Sequence, residues 1–254
     1  MTSTEQHRRK YDALAERYEE IYFYVADLGR ELVSRAAPPP GTRLLDVGAG
    51  RGAVARVGLA RGCTVTAVDA SAGMVARLAA DHRDMLVLQQ DAGALRFPDG
   101  SFDLVTAGFL VQVLAEPEMA LAEFHRVLVP DGMVALSLER QVVGRLGWLH
   151  DLNREYFGGG SGAPLSPDRL DELLVAAGFD EPERTMVKVP RHLPDPAALW
   201  DWLALQGVPE ALDDLPSPHA VTFRERFFRG AEDMHRNGGI TLEFAATLHT
   251  TTRP

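Results

Sequence analysis

Three aspartates are the side chains of this 254-residue chain best suited to chemistry on a bound small molecule. Asp46, Asp69 and Asp91 each end or follow an apolar run that is typical of a strand. Because the carboxyl ends of parallel strands meet at one edge of a sheet, we expect the three carboxylates to lie close together. Such carboxylates can accept hydrogen bonds from a ribose diol, an ammonium group or an adenine amino group.

The turn after the first aspartate is built from closely spaced glycines. Gly48, Gly50 and Gly52 alternate with Ala49 and Arg51 ahead of a predicted helix. Glycines let a ligand approach the backbone closely, and the start of a helix offers free N–H groups. This region therefore predicts a pocket for a nucleoside-bearing ligand.

The same turn also fits the dinucleotide fingerprint G-x-G-x-x-A, through Gly48, Gly50 and Ala53, with Asp69 about 20 residues further on. Asp46 precedes the glycines, where a carboxylate can reach an ammonium group that nicotinamide dinucleotides do not carry. The further glycine at position 52 widens the turn, which then has no need to cradle a pyrophosphate. The pattern therefore favours a nucleoside with a charged amino-acid tail.

Five predicted strands alternate with helices, and this alternation predicts a parallel, doubly wound α/β sheet. The predicted strands cover residues 44–47, 64–68, 85–89, 102–107 and 133–138. The predicted helices cover residues 10–36 (one or two helices), the segment from the glycine turn to residue 61, 71–82 and 117–129.

After residue 139 the alternation loosens. Residues 158–162 predict a flexible loop, 166–177 a helix, and 184–189 and 240–249 two late strands. The helical patterns at 194–205 and 221–236 predict a small helical cap inserted between those strands. We predict a single domain, with a core at 10–140, substrate-binding loops and the cap at 148–237, and a final strand at 240–250.

The composition limits the classes of function. The formal net charge of −10 argues against nucleic acid as the main partner. Cys63 is the only cysteine, and the eight histidines show no metal-ligand spacing, so we predict neither a disulfide nor a metal site. No apolar run reaches the ~18 residues of a membrane span, and the first ten residues do not resemble a signal peptide. We therefore expect a cytoplasmic protein.

Several segments, in order and at matching spacing, resemble the class I S-adenosylmethionine-dependent methyltransferases, in particular the small-molecule branch that includes quinone C-methyltransferases. Residues 45–52 (LDVGAGRG) match the first motif of that family, 68–74 (VDASAGM) its ribose-binding segment, and 91–92 its adenine segment. Residues 95–105 (LRFPDGSFDLV) and 124–132 (FHRVLVPDG) are also close to family patterns. The resemblance runs from Tyr11 to Glu139 and is weaker in the last strands.

The resemblance implies a Rossmann-like, mostly parallel sheet of seven strands with one antiparallel late strand, and S-adenosylmethionine at the carboxyl ends of the early strands. It implies that Asp69 binds both ribose hydroxyls, Asp91 binds the adenine amino group, and Ala70 and Met74 flank the adenine. The glycine turn would contact the methionine part, and the backbone after the fourth strand its amine. The implied cofactor-binding residues are Tyr18, Asp46, Gly48, Ala49, Gly50, Asp69, Ala70, Met74, Asp91, Ala92, Ala107 and Gly108.

Two of these residues have a second interpretation. Asp46 contacts the cofactor, directly or through water, or it braces the glycine turn. Tyr18 matches an aromatic residue that closes over the cofactor in the family, or it packs with Tyr11 and Tyr22 on one helix face.

The resemblance assigns no catalytic base. Many family members carry histidine where this chain has Gln112, and that departure removes one candidate. His150 lies in a segment after the fifth strand, where acceptors often bind, so it is a candidate base or substrate contact, against the alternative of a loop histidine. The candidate acceptor contacts are Gln112, His150, Tyr156 and Trp200.

We therefore predict transfer of a methyl group from S-adenosylmethionine to a small, partly apolar acceptor, in a setting of specialised metabolism. A cofactor-binding enzyme of the same fold that does not methylate, for example a cyclase, is the alternative. A nicotinamide-dependent oxidoreductase fits less well, because the chain has no Tyr-x-x-x-Lys pair: Gly160 stands four residues after Tyr156. A non-catalytic interaction module does not account for so complete a nucleoside pocket.

Overall fold

A computed structural model of the chain describes residue 9 and residues 11–140, 144–158 and 165–254. The chain forms two compact units. The first comprises Met1–Arg140, Pro164–Val187 and Ala246–Pro254, and the second comprises Gln141–Ala163 and Lys188–Ala245. Positions 159–162 of the predicted glycine loop lie outside the described residues, and the single-domain organisation stays a prediction.

Seven strands form one sheet: β1 (Arg43–Val47), β2 (Thr64–Asp69), β3 (Leu86–Gln89), β4 (Phe102–Gly108), β5 (Leu128–Arg140), β6 (Glu183–Leu193) and β7 (Ile240–Thr252). Their order across the sheet is β3-β2-β1-β4-β5-β7-β6. β1 pairs in parallel with β2 and β4, β2 with β3, and β4 with β5. From β1 the strand order therefore runs outward to β2 and β3 on one side and to β4 and β5 on the other. In such sheets ligands bind beyond the carboxyl ends of the strands at the point where the order reverses.

β7 runs antiparallel to its neighbours. The backbone N–H of Arg253, just after β7, donates to the carbonyl of Gly132 near the beginning of β5 at 2.8 Å. The N–H of Asp180, just before β6, donates to the carbonyl of Thr252 at the end of β7 at 3.0 Å. The end of β7 thus meets the beginnings of β5 and β6, which confirms the predicted sheet of seven strands with one antiparallel late strand.

Helices connect and flank these strands. The helical segments are 11–14, α1 (Tyr18–Ile21), α2 (Val25–Ala36), α3 (Ala55–Ala60), α4 (Ala72–Asp81), α5 (Pro117–Val127), α6 (Gly147–Phe157), α7 (Pro167–Ala176), α8 (Pro196–Leu205), α9 (Val208–Asp213) and α10 (Ser217–Arg236). The apolar face of α5 packs into the core of the first unit, where Phe124 and Leu121 are fully buried with Leu45 of β1 and Leu136 of β5. Among the described residues, no helix is both long and apolar enough to cross a bilayer.

A serine cap fixes the beginning of α4. Ser71 Oγ accepts a hydrogen bond from the N–H of Met74 at 3.1 Å and donates one to Asp12 Oδ1 at 2.6 Å. The same Asp12 oxygen accepts from the N–H of Gly73 at 3.0 Å. The cap therefore satisfies the first turn of α4 and also docks the N-terminal helical segment on it.

The secondary structure differs from the sequence predictions at several places. Residues 148–157 form helix α6 instead of a loop, because Leu149 and Leu152 recur at helical spacing and are both buried. α9 was not predicted. β5 begins at Leu128 and not after the Pro-Asp-Gly turn. Leu128 pairs with Phe102 and Met133 pairs with Leu104, so the register shifts between these two pairs and the turn forms an irregularity within the strand.

The second unit is organised around aromatic side chains. Phe227 of α10 is fully buried, and its ring centroid lies 5.9 Å from that of Trp148 on α6 and 5.1 Å from that of Trp200 on α8. Phe223, one helical turn before Phe227, is also fully buried. These contacts give the predicted cap a hydrophobic core of its own.

Candidate functional site

The glycine turn between β1 and α3 forms as the sequence predicts. Gly48, Gly50 and Gly52 all have positive φ angles, of 67°, 53° and 80°. The N–H of Ala49 donates to the carbonyl of Val68 on β2 at 3.0 Å, which anchors the turn to the neighbouring strand. Only glycine adopts these angles without strain, so the residue type at these positions follows from the turn.

The surroundings of the glycines differ. A Cβ atom added to Gly52 would lie 2.6 Å from Leu78 Cδ1, and Leu78 is 1% exposed. A Cβ atom added to Gly50 would meet no atom within 4 Å. Open space beside Gly50 is what a ligand that lies against the backbone requires.

We expect Gly52→Ala to lower the melting temperature more than Gly50→Ala. Both substitutions add the strain of a left-handed alanine, on the order of 1 kcal/mol, but only Gly52→Ala also collides with the buried Leu78. Thermal unfolding of the two variants checks the order. The Gly50→Ala variant is the matched control, and equal melting temperatures would contradict the packing argument.

Asp46 lies at the end of β1 and is 1% exposed. Its Oδ2 accepts from the N–H of Ala55, at the beginning of α3, at 3.0 Å, and its Oδ1 accepts from Thr106 Oγ1 at 2.9 Å. Burial raises the pKa of Asp46 to about 7, although these two hydrogen bonds oppose the shift. Asp46 therefore braces the beginning of α3 against β4, which is the second of its two sequence interpretations, and its contact with a cofactor stays a prediction.

Asp69 lies at the end of β2 with its carboxylate held in one orientation. Oδ2 accepts from the N–H of Gly50 at 2.8 Å, and Oδ1 accepts from the N–H of Ser71 at 2.8 Å. Burial raises the pKa of Asp69, and hydrogen bonds from these backbone N–H groups oppose the rise. A carboxylate held by two backbone donors keeps free lone pairs in fixed directions, as the recognition of a ribose diol requires.

Asp91 follows β3 and is exposed. Its Oδ1 accepts from the N–H of Gly93 at 2.9 Å, while Ala92 beside it is buried. Met74, at the beginning of α4, is 1% exposed and lines the same cavity as Ala70, and their contact with an adenine stays a prediction.

The end of β4 carries strained backbone. Phe109, directly after Gly108, has a φ of 58°, which is costly for a side chain of this size. Its N–H donates to both the carbonyl and the Oγ of Ser137 on β5, each at 3.1 Å. Ala107 is fully buried on β4, whereas Gly108 and Phe109 line the cavity. Strain held in this way is found at ligand-binding sites.

The cavity has two lobes, which adjoin at Gly48, Gly50 and Gly108. The acidic lobe contains Asp69 and Asp91 and is otherwise lined by Tyr11, Tyr18, Val47, Ala70, Ser71, Met74, Gln90, Ala92, Phe109, Leu110, Val113 and Leu114. The inner lobe contains Asp46 and Arg51 and is otherwise lined by Tyr18, Val25, Gly29, Ala49, Ala53, Val54, Phe109 and Ser137. The structure thus brings together eleven of the twelve predicted cofactor-binding residues around one cavity, the exception being the buried Ala107.

Tyrosines from the N-terminal segment line the cavity and the region beside it. Ring centroids of Tyr11 and Tyr18 are 6.3 Å apart, and those of Tyr18 and Tyr22 are 4.8 Å apart. Tyr24 Oη donates to Glu139 Oε1 at 3.2 Å. Burial raises the pKa of all four phenols, and the charge on Glu139 adds to the rise, so the hydroxyls stay protonated and act as donors at neutral pH.

The predicted acceptor contacts fall in different places. Gln112 does not line either lobe, and its Oε1 accepts from the N–H of Glu139 at 2.7 Å. His150 is half-buried on α6 and is not a loop residue. Tyr156, also on α6, packs against Phe223 with ring centroids 5.3 Å apart. His150, Tyr156 and Trp200 belong to the second unit, and their contact with an acceptor stays a prediction.

Sequence reasoning missed several lining residues. Gln90, Phe109, Leu110 and Arg51 were not among the predicted cofactor-binding residues, although all line the cavity. Gln90 and Arg51 adjoin predicted site residues in the chain, and this adjacency was the available signal. Among the described residues, no three His, Cys, Asp or Glu side chains are arranged to hold a metal ion.

The sheet order, the glycine turn and the strand-end carboxylates define an α/β protein that binds a nucleoside-containing ligand. Residues 45–136 match a family model described as a methyltransferase domain. A demethylmenaquinone methyltransferase from Thermus thermophilus is 33% identical over 202 residues, which cover 66% of this chain and 90% of that protein. The chain belongs to the S-adenosylmethionine-dependent methyltransferases.

Other similarities are more limited in extent. A malonyl-[acyl-carrier protein] O-methyltransferase from Erwinia billingiae is 38% identical over 109 residues, 43% of each chain. Several such relatives, like this one, align with the chain over less than half of their own length. The crystal structure of the [4+2]-cyclase SpnF superposes with a TM-score of 0.57 and 22% identity, covering 90% of this chain and 80% of that one, and shows the shared fold.

Proposed function

We propose that this protein transfers a methyl group from S-adenosylmethionine to a small, partly apolar acceptor. The observation that carries the proposal is the cavity, in which a carboxylate held by Gly50 and Ser71 N–H groups faces a glycine turn with open space beside Gly50. S-adenosylmethionine, once bound there, supplies a methyl group that its sulfonium centre already activates. The cofactor-binding residues of the proposal are those predicted from the sequence, without the buried Ala107 and with Arg51, Gln90, Phe109 and Leu110 added.

The protein then contributes alignment and exclusion of water. Asp69 orients the ribose, and the tyrosine rings beside it cover the cavity, so that the acceptor atom, the methyl carbon and the sulfur lie in one line. Because Gln112 is engaged with the backbone of β5, we propose no base at this position. This fits an acceptor that is nucleophilic without side-chain assistance, or one that is activated by His150.

The proposal also assigns the residues that contact the acceptor. We propose that His150, Tyr156 and Trp200 contact it, because α6, α8 and α10 present aromatic and cationic side chains to one another, as in the cation–π contact of Arg226 with Tyr156. Trp200 packs against Phe227, so substituting it tests the packing of the second unit as much as acceptor binding.

The negative net charge of the chain supports a small molecule over nucleic acid as the acceptor. We also propose a cytoplasmic location.

A non-methylating enzyme is the second candidate. The observation in its favour is Gln112, which replaces a histidine that many family members carry and which is committed to a structural hydrogen bond. Detection of methyl transfer to any acceptor decides between the two. The nicotinamide-dependent oxidoreductase is no longer supported, because the chain belongs to the methyltransferases.

Titration calorimetry with S-adenosylhomocysteine tests the proposal. We expect one binding site per chain with an affinity in the micromolar range or tighter, because the ligand combines a ribose, an adenine and an amino-acid tail. NADH is the control, and we expect it not to bind. No heat of binding with S-adenosylhomocysteine at high micromolar concentration would overturn the proposed function.

A further inference from the structure

Glu139 is an exposed residue near the carboxyl end of β5. Tyr24 Oη donates to Glu139 Oε1 at 3.2 Å, and the N–H of Glu139 donates to Gln112 Oε1 at 2.7 Å. Within the described part of the chain, no lysine, arginine or histidine forms an ion pair with Glu139. Its carboxylate is therefore available to a cation that a ligand supplies.

The position of Glu139 in the sheet puts it beside the cavity. Ser137, two residues earlier on β5, lines the inner lobe and pairs with Gly108, the last residue of β4. Alternate residues of a strand project from the same face of a sheet, so Glu139 continues the face of Ser137 past the end of β4. On its other side, Gln112 directly precedes Val113, which lines the acidic lobe. Glu139 thus lies at the carboxyl edge of the sheet, next to the lobes but not among the residues that line them.

Tyrosine rings form a continuous path from the cavity to Glu139. Tyr18 lines both lobes. Its ring centroid lies 4.8 Å from that of Tyr22, and the centroid of Tyr22 lies 6.3 Å from that of Tyr24, edge to face. Tyr24 in turn donates to Glu139. Tyr22 is half-buried, so part of its surface remains open to a ligand.

Tyr18 lies within the electrostatic reach of two carboxylates. Burial raises the pKa of Tyr18, and the neighbouring phenols and the negative charges of Asp69 and Glu139 add to the rise. Because the interaction between charges weakens with distance, both carboxylates lie near this phenol. A group bound at Glu139 is therefore a neighbour, across Tyr18, of a ligand held at Asp69.

A carboxylate beside aromatic rings selects a cation. Carboxylate oxygens accept charge-assisted hydrogen bonds from an ammonium group, and the face of a tyrosine ring attracts a cation. An anionic acceptor would be repelled by Glu139. A neutral acceptor that excluded water would leave the carboxylate without a charged partner, which is costly. The remaining ring surface suits the apolar part of a small amine.

We propose that Glu139 binds a positively charged amino group of the acceptor, with the rings of Tyr18 and Tyr22 against its apolar part. This assignment rests on the proposed function and deepens it, because it names the class of acceptor: a small amine that is cationic at neutral pH. Tyr24 holds the Glu139 carboxylate in place for the contact.

Two probes that differ in one group test this assignment. 2-Phenylethylamine is cationic at neutral pH, and 2-phenylethanol has the same carbon skeleton with a neutral hydroxyl group. Each is titrated by calorimetry into the protein saturated with S-adenosylhomocysteine. We expect the amine to bind at least about tenfold more tightly than the alcohol, since only the amine brings a charge to the hydrogen bond with Glu139.

Glu139→Gln removes the charge and keeps a side-chain oxygen for Tyr24. We expect it to weaken binding of the amine roughly tenfold or more, and to change the affinities for the alcohol and for S-adenosylhomocysteine by less than about threefold. Glu139→Asp keeps the charge on a shorter side chain and is expected to retain part of the preference for the amine. Glu181→Gln is the matched control: Glu181 is exposed and lines neither lobe, so we expect the preference of the wild type.

The measurements separate this assignment from the proposed function. If the wild type binds the amine no better than the alcohol, including no binding of either, the acceptor class is wrong even where S-adenosylhomocysteine binds. If Glu139→Gln keeps the preference for the amine, or loses S-adenosylhomocysteine and the amine equally, Glu139 only orders the tyrosines and its assignment is overturned. If the wild type does not bind S-adenosylhomocysteine, the proposed function fails before either probe is added, and the assignment fails with it.

Discussion

Asp69→Ala is expected to weaken binding of S-adenosylhomocysteine by at least about 100-fold, measured by titration calorimetry. The carboxylate is held by the N–H groups of Gly50 and Ser71, each at 2.8 Å, and Asp69 lines the acidic lobe. Two charge-assisted hydrogen bonds to the ribose diol are lost with it, and each contributes about 1.5 kcal/mol or more. We expect no other single substitution described above to weaken binding of the cofactor as much.

The control must separate ribose recognition from bracing of the turn, because Asp69 also orders Gly50. A ligand that lacks the ribose 2′-hydroxyl provides it: we expect Asp69→Ala to weaken this analogue less than S-adenosylhomocysteine. Asp84→Ala, at an exposed aspartate outside both lobes, is expected to bind normally. An equal loss for both ligands would show that Asp69 acts on the turn and not on the ribose.

Asp46→Asn is expected to change how stability depends on pH. Burial raises the pKa of Asp46 to about 7, whereas in the unfolded chain it ionises near pH 4. Between these values the folded protein keeps a proton that the unfolded chain has lost, so the free energy of unfolding falls as the pH rises. A difference of about three pKa units corresponds to roughly 4 kcal/mol. An asparagine side chain cannot ionise, so the variant lacks this fall.

Asparagine also fits the hydrogen bonds of this position. Its side-chain oxygen can accept from the N–H of Ala55, and its NH₂ can donate to Thr106 Oγ1, whose own hydroxyl hydrogen can turn to the carbonyl of Leu45, 3.4 Å away. Melting temperatures of wild type and Asp46→Asn at about pH 4 and about pH 8 check the expectation, with the variant gaining on the wild type at the higher pH.

Asp103→Asn is a control of opposite sign. Hydrogen bonds and charge from Arg43 lower the pKa of Asp103, so its contribution to stability is present at neutral pH and is lost as the pH falls. Asp103→Asn is therefore expected to be more harmful at about pH 8 than at about pH 4. If the melting temperatures of Asp46→Asn and the wild type differ by the same amount at both pH values, the pKa of Asp46 is not raised in the folded protein.

The positions of the strand-end residues were predictable because each depends on local patterns. Glycines at positions that need positive φ predict the turn. Apolar runs of strand length predict β2 and β3, and thereby place Asp69 and Asp91 at or just after the ends of strands. Ser71 as the cap of α4 follows from the same kind of local signal. A parallel sheet brings these ends together whatever the side chains elsewhere.

The direction of a side chain at such an end was not predictable. Asp46 and Asp69 both lie at the ends of adjacent strands, yet Asp46 turns to the beginning of α3 and to Thr106 on β4. A strand of a sheet that is covered on both faces has no polar side to mark which residues face solvent. The same holds for Gln112, whose hydrogen bond to β5 depends on a neighbour 27 residues further along the chain.

Helix boundaries failed where tertiary contacts decide them. Tyr11, Tyr18 and Tyr22 were predicted on one helix face, but the helical segments are interrupted at 15–17 and at 22–24. Their rings nevertheless contact one another in sequence, and the hydrogen bonds of Asp12 with Ser71 and Gly73 dock the segment on the beginning of α4. Helical periodicity alone does not carry this information.

Both lobes are lined, as far as the structure describes them, by residues of a single unit of the chain. The aromatic second unit has its own buried core and contributes none of those lining residues. His150, Tyr156 and Trp200, proposed above as acceptor contacts, all belong to this second unit. We therefore expect a library of variants in residues 144–158 and 188–245 to keep one and the same site for the methyl donor in all its members.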